Sequence, residues 1–187
     1  MVLEETDKDV IEGCRQGESN AFRALFERYK DKVYTIALRY SGDASVAQDI
    51  AQETFLKLFA GIGNFRGDCS FDSWLYRVIV NSCFDQKRKT RRLMPLVDTF
   101  LDLMQAPGAS VLDDVMRAEM SGHLRSVVAG LPSGERMLIV LRYAQGLSYE
   151  ELGEVMGCSS GTIGSRLNRI HKLLEKRMLR LSGRNRV

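Results

Sequence analysis

Apolar positions in this chain recur at intervals of three and four almost throughout, the period of a helix with one face against a core. Phe22, Leu25, Phe26, Tyr29, Val33, Ile36, Ala37 and Tyr40 form the first clear stripe. They predict one long amphipathic helix from about Glu18 to Ser41, ended by Gly42. A second helix starts near Asp43 or Ser45 and stops at Gly61 and Gly63, with Ala47, Ile50, Ala51, Thr54, Phe55 and Leu58 as its core stripe. Ser70 is the N-cap expected for a third, which runs through Trp74, Leu75, Val78, Ile79 and Cys83 into the basic run Lys87 to Arg92, KRKTRR. Between Leu93 and Leu112 the pattern breaks at Pro95, Pro107 and Gly108. This stretch reads as a linker whose Phe100, Leu101, Leu103 and Met104 are placed either to form a short helix or to dock. Helical spacing resumes near Asp113. One helix runs to about Ala129, another from Ser133 to near Tyr143, and a short one opens on the capping-box pair Ser148 and Glu151 and ends at Met156. The last spans about Ser160 to Arg180, roughly 30 Å at 1.5 Å per residue. No stretch reads as a strand. The expected class is all-α: two small helical domains, residues 1–92 and 113–187, joined by a flexible linker over 93–112.

Composition supports a folded chain, with 44% hydrophobic and 27% charged residues and only 3 prolines among 187 residues. No apolar run approaches the roughly 18 residues of a membrane span, and the acidic start is unlike a secretory signal, so a cytoplasmic protein is expected. Net charge is only +3, but it is unevenly spread. Acids dominate the first twenty residues, and bases fill KRKTRR and the stretch from Arg166 onward. Two separate basic stretches suit a polyanion touched at two places, or simply two solvated helix faces; charge alone does not separate these. Cys14, Cys69, Cys83 and Cys158 lack CxxC spacing, and His123 and His171 fall in no ligand pattern, so no metal and no cofactor is expected. Without a P-loop, a G-x-S-x-G turn or paired histidines, catalysis is not expected either.

Leu147 to Ile170, LSYEELGEVMGCSSGTIGSRLNRI, carries the sharpest local signal. Two helices across a short glycine-containing turn are the helix-turn-helix pattern, in which the second helix enters the major groove. The first helix carries Glu150, Glu151 and Glu154 and no base, so it cannot lie against phosphate. The second offers Ser160, Thr162, Ser165, Arg166, Asn168 and Arg169 as donors to phosphates or base edges. An ordinary helical hairpin is the plainer alternative.

The N-terminal half narrows the choice. DASVAQDIAQETFLKLF (Asp43 to Phe59) and FRGDCSFDSWLYRVIVN (Phe65 to Asn81) resemble regions 2.2 to 2.4 of the extracytoplasmic-function (ECF, group 4) RNA polymerase sigma factors of the sigma-70 family. Leu131 to Ile170 resembles regions 4.1 and 4.2 of the same family. The resemblance covers nearly the whole chain except the linker and the last residues. It implies a sigma factor that directs transcription initiation, responds to stress and is held by an anti-sigma factor. The implied partners are core RNA polymerase, through the clamp helices of its largest subunit and the flap of its second-largest, and promoter DNA. A helix-turn-helix regulator acting without polymerase is the second reading.

Asp49, Gln52, Glu53 and Leu56 share one helix face opposite the core stripe, and the resemblance assigns them to polymerase docking. It makes Phe65–Asp72 a loop that captures a base flipped from the −10 element. Phe65, Phe71 and Trp74 are candidates to stack it, and Arg66, Gly67, Asp68 and Ser70 to test its edge. Core positions are equally open to Phe71 and Trp74. Arg77, Asn81, Lys87 and Arg88 continue that surface along the helix, for phosphate contacts and, at Asn81, a −10 base. Ser160, Thr162, Ser165, Arg166, Asn168 and Arg169 are assigned to the −35 element. Gly164 stands where family members often carry Lys or Arg, which puts the usual −35 sequence in doubt. Twenty linker residues span at most roughly 65–70 Å. Two duplex turns cover about 70 Å, so the domains can sit at separate promoter elements.

Overall fold

The computed structural model describes residues 5–93 and 127–184, with side chains over 8–89 and 127–178. The predicted linker and most of the helix expected over 113–129 lie outside these residues; 127–129 are helical. Every described element is helical. The N-terminal unit is α1 (Glu5–Arg15), α2 (Ser19–Ser41), α3 (Ala44–Gly61) and α4 (Phe71–Leu93), with a 3-10 turn at Ile62–Asn64 before the loop into α4. The C-terminal unit is α5 (Ser133–Ile139), a π-helical turn (Val140–Ala144), α6 (Tyr149–Met156) and α7 (Ser160–Arg184).

In the N-terminal unit α2 packs on α3, α3 on α4, and α1 on α2. The predicted stripe of α2 is buried at Leu25, Tyr29, Val33, Ile36, Ala37 and Tyr40, but Phe26 is 40% exposed and Phe22 only half-buried. Both lie at the α3 edge, where they meet Phe55 and Phe59. α3 begins where Asp43 accepts a hydrogen bond from the Val46 N–H at 2.9 Å, a side-chain cap that satisfies one orphan donor. Thr54 is buried, and its hydroxyl donates to the Ile50 carbonyl at 2.7 Å. Phe71, Leu75, Ile79 and Cys83, four apart on α4, are all fully buried. Burial pushes the Cys83 thiol up to about 12, so it behaves as a small hydrophobe. α1 is not among the helices that the apolar spacing predicts. Its Ile11 and Cys14 join the core, while Asp9 and Glu12 face outward.

The C-terminal unit closes around Met137, Leu138, Leu141, Leu152, Ile163 and Leu167, each buried. The helix predicted to reach Tyr143 stays α-helical only to Ile139 and then widens into the π turn, as π segments do in short pieces inside helices. The Leu147 N–H reaches back to the Leu141 carbonyl at 3.3 Å, and Arg142 Nη1 donates to the Leu147 carbonyl at 2.6 Å, closing the turn into α6. The two units touch: α4 lies against α6, and the C-terminal end of α2 against the π turn.

Candidate nucleic-acid and polymerase interface

α3 presents two faces. Ala47, Ile50, Thr54, Phe55 and Leu58 are buried, while Asp49, Gln52 and Leu56 are exposed, Leu56 by 60%. Glu53 is half-buried, within 3.5 Å of both Lys57 and Lys89, and Gln86 Nε2 donates to Asp49 at 3.4 Å. Leu56 lies on an open groove with Phe26, Tyr34, Phe55 and Phe59. An exposed leucine on an apolar groove, on the same helix as the Asp49 and Glu53 carboxylates, is a surface for an amphipathic partner element rather than for DNA.

The loop before α4 turns at Gly67, whose φ of +79° few side-chain-bearing residues adopt. Arg66, Asp68 and Ser70 are exposed there. Ser70 caps α4: its hydroxyl accepts from the Ser73 N–H at 3.1 Å and donates to the Ser73 hydroxyl at 2.9 Å. Phe71 is fully buried and Phe65 is 7% exposed. Both pack on Trp74, with ring centroids 5.7 and 5.4 Å away. Trp74 is therefore the one half-buried ring of the three, and Phe65 and Phe71 fix it from behind. From Trp74 the spacing to Arg77, Asn81 and Arg88 is i, i+3, i+7, i+14, so these side chains line one face of α4. Asn81, Lys87 and Arg88 are exposed. Arg88 pairs with Asp85, whose other partner is Lys57 at 2.7 Å; the Lys57 and Arg88 hydrogen bonds hold the Asp85 carboxyl below its ordinary value. Arg77 is half-buried, because its Nε donates to the backbone carbonyl of Glu154 at 3.1 Å.

In the C-terminal unit the capping box is complete. The Ser148 hydroxyl accepts from the Glu151 N–H at 3.1 Å, and the Ser148 N–H donates to the Glu151 carboxylate at 2.7 Å. Ser159 caps α7 in the same manner, accepting from the Thr162 N–H at 3.2 Å. Between them α6 ends at Gly157 in the left-handed region, φ +68°, and the Cys158 N–H donates to the Gly153 carbonyl at 3.0 Å. Gly153 lies tightly against the turn into α7: a methyl group there would lie 2.6 Å from the Cys158 carbonyl oxygen. Ile163, Leu167 and Ile170 face the core. Thr162, Ser165, Arg166 and Arg169 (i, i+3, i+4, i+7) share the opposite face. Thr162, Ser165, Asn168 and Arg169 are exposed, while Ser160 is half-buried. Arg166 is half-buried too and leans on α5, where its Nη2 would be 2.9 Å from a methyl at Gly134.

Four side chains that the sequence did not single out now matter: Ser73, Tyr76, Arg136 and Gln145, all between the units. Nothing local in the sequence marks these contacts between the units, which join residues at least 69 positions apart. Among the described residues no group of three His, Cys, Asp or Glu side chains could hold a metal, and no helix is long and apolar enough to cross a membrane.

A two-faced four-helix unit followed by a helix-turn-helix unit is the architecture of a sigma factor's two promoter-reading regions, and the comparisons agree. Residues 25–93 match the Sigma-70 region 2 family and residues 122–174 match Sigma-70, region 4. The chain is 34% identical to the RNA polymerase sigma-H factor of Pseudomonas aeruginosa, over 94% of this chain and 95% of that one. It is also 34% identical to the ECF RNA polymerase sigma-E factor of Escherichia coli, over 92% and 94%. The chain belongs to the sigma-70 family, as an RNA polymerase sigma factor of the extracytoplasmic-function type. Its fold resembles CnrH, solved in complex with the cytosolic domain of CnrY (TM-score 0.66, 22% identity, covering 92% of this chain and 96% of that one). It also resembles the sigma factor RpoE of Bartonella quintana, solved with the anti-sigma factor NepR (TM-score 0.62, 24% identity, 84% and 96%).

Proposed function

We propose that this sigma factor docks on core polymerase through the α3 face of Asp49, Gln52, Glu53 and Leu56, against the clamp helices of the largest subunit. The C-terminal unit meets the flap of the second-largest. The chain acts in the cytoplasm and performs no catalysis: its role is to bind, place and separate promoter strands, and the polymerase supplies the chemistry. Arg66, Gly67, Asp68 and Ser70 form the exposed rim of the −10 base-capture loop. Trp74 supplies the part-open ring behind it, and Phe65 and Phe71 serve by fixing Trp74. Arg77, Asn81, Lys87 and Arg88 follow the strand along α4. Thr162, Ser165 and Arg169, flanked by Ser160, Arg166 and Asn168, read the −35 element in the major groove.

The observation that carries this reading is the exposed apolar face of α3. A leucine 60% exposed beside carboxylates calls for a protein partner, which a regulator acting on DNA alone does not need. Control by an anti-sigma factor is part of the proposal, in keeping with the anti-sigma factor NepR bound to one of its structural relatives. Run-off transcription tests it: core polymerase with this chain produces promoter-specific transcripts, and neither component does so alone. Tight, specific duplex binding by a dimer of the chain without polymerase would favour the regulator instead.

A further inference from the structure

Among the described residues the large apolar side chains left exposed are Phe26, Leu56, Tyr143 and Tyr149. Phe26 and Leu56 belong to the groove on α3. Tyr143 is tied to α7 by its hydroxyl, 2.6 Å from His171 Nε2. Tyr149, the first residue of α6 and 38% exposed, serves neither the core nor the groove.

Its ring is nevertheless held in place. The Arg142 guanidinium lies over it, 5.1 Å from the ring centre, in a cation–π contact. Arg142 is itself anchored by the hydrogen bond from Nη1 to the Leu147 carbonyl at 2.6 Å. The ring also meets α7 at Gly164, where a Cβ would lie 3.5 Å from its Cε2 and 3.7 Å from its Cδ2. A side chain at 164 would therefore start in contact with this edge of the ring, whereas glycine leaves it bare. An aromatic group fixed before binding loses little conformational freedom when a ligand arrives.

Gly164 sets that edge beside the −35 row. It adjoins Ser165 and lies one helical turn before Asn168, both of them exposed. It is also the fifth residue of α7, and the N-terminal residues of a recognition helix are those that reach base edges in the major groove. The atoms offered there are ring carbons, which serve an apolar contact rather than a hydrogen bond. The apolar feature that a base pair presents in the major groove is the C5-methyl of thymine.

We propose that Tyr149 is a specificity-determining residue for the −35 element: its ring edge, left bare by Gly164 and steadied by Arg142, packs on the methyl of one thymine. The first helix of the motif then contributes to sequence choice together with the second. The proposal rests on the assignment of α7 to −35 DNA.

The test uses holoenzyme, formed from core polymerase and the full chain, and a promoter that it transcribes, recovered from a randomised pool. Each thymine of the −35 block, on either strand, is replaced in turn by deoxyuridine. This removes the methyl and leaves every hydrogen-bonding group in place. One replacement is expected to weaken promoter binding about fourfold, the effect of exposing one methyl-sized group. The same replacement should have no effect with Tyr149→Ala and its full effect with Tyr149→Phe, which keeps the ring. A −35 block without thymine, or one in which no replacement weakens binding, overturns the proposal, and this arm needs no variant. A replacement whose effect persists in Tyr149→Ala overturns it as well, since another residue then reads the methyl. Discrimination lost in Tyr149→Phe would pass the contact to the hydroxyl and overturn it too. Arg169→Ala tests the underlying assignment separately: unchanged dependence on the −35 block would remove α7 from its recognition, whatever Tyr149 does.

Discussion

Two glycines of the helix-turn-helix should respond to the same substitution with opposite signs. Alanine is favoured over glycine by about 1 kcal/mol in a helix interior. At Gly164 on α7 an added methyl would meet only the Tyr149 ring, at 3.5 and 3.7 Å, an ordinary van der Waals contact. Gly164→Ala is therefore expected to stabilise the protein by about 0.5–1 kcal/mol. At Gly153 on α6 the methyl would lie 2.6 Å from the Cys158 carbonyl oxygen and 3.4 Å from the Ser160 nitrogen. These are backbone atoms of the turn itself, tied down by the Cys158-to-Gly153 hydrogen bond and by the Ser159 cap, so relief requires α7 to move. Overpacking of this kind costs about 1–3 kcal/mol, which outweighs the gain in propensity. Gly153→Ala should lose about 1–2 kcal/mol net. Thermal unfolding followed by circular dichroism resolves both, since 1 kcal/mol moves Tm by about 2–4 °C at this size. The Gly164 variant should melt higher and the Gly153 variant lower. A Gly153→Ala protein as stable as its parent would show that Gly153 does not lie tightly against the turn into α7, and would refute the tight-turn geometry of the motif.

Asp49→Arg with Glu53→Arg should abolish core binding in a titration while leaving helicity intact; unchanged affinity would make this face merely solvated. Ser165→Ala or Arg169→Ala should weaken promoter use by roughly 1–3 kcal/mol where a bidentate base contact is lost; normal −35 dependence in both would remove the recognition-helix assignment. Asp85→Asn should cost about 0.5 kcal/mol, as an ion pair a third exposed contributes little. Because the folded Asp85 carboxyl is held below its ordinary value, that contribution is present at neutral pH and lost as pH falls through the folded value, so parent and variant should converge in acid unfolding curves. Exchanging Arg66 to Asp72 for the loop of a relative with a different −10 preference should move the preferred −10 base without touching −35 choice; an unchanged base would shift readout to the α4 face bearing Asn81.

The helices that carry their own local signals are legible in the sequence. Asp43, Ser70 and the Ser148–Glu151 box open helices where capping chemistry places them, and the stripes of α2 and α3 point inward apart from Phe26 and the half-buried Phe22 and Ala51. α1 is hidden because its acids mask a short apolar stripe. The π turn is hidden because an extra residue in a helix leaves no mark in a three-to-four spacing. In the candidate site, the exposed face of α3 and the exposed row on α7 follow from helical period alone. The roles of the loop aromatics do not: whether Phe65, Phe71 or Trp74 is left open depends on how three rings stack between α3 and α4. The hydrogen bonds of Arg77 to the Glu154 carbonyl and of Arg136 to the Tyr40 carbonyl are illegible for a similar reason, as they join residues 77 and 96 positions apart.

The central claim is that one chain reads two promoter elements for polymerase through two separate units. Transcription by core polymerase and this chain from a pool of randomised promoters, followed by sequencing of the templates that yield transcripts, tests it directly. Two enriched sequence blocks about two helical turns apart are predicted, the downstream block altered by changes in the Arg66–Asp72 loop and the upstream block by changes at Arg169. A single palindromic block, or enrichment that persists when core polymerase is omitted and duplex binding alone is selected, would contradict the account.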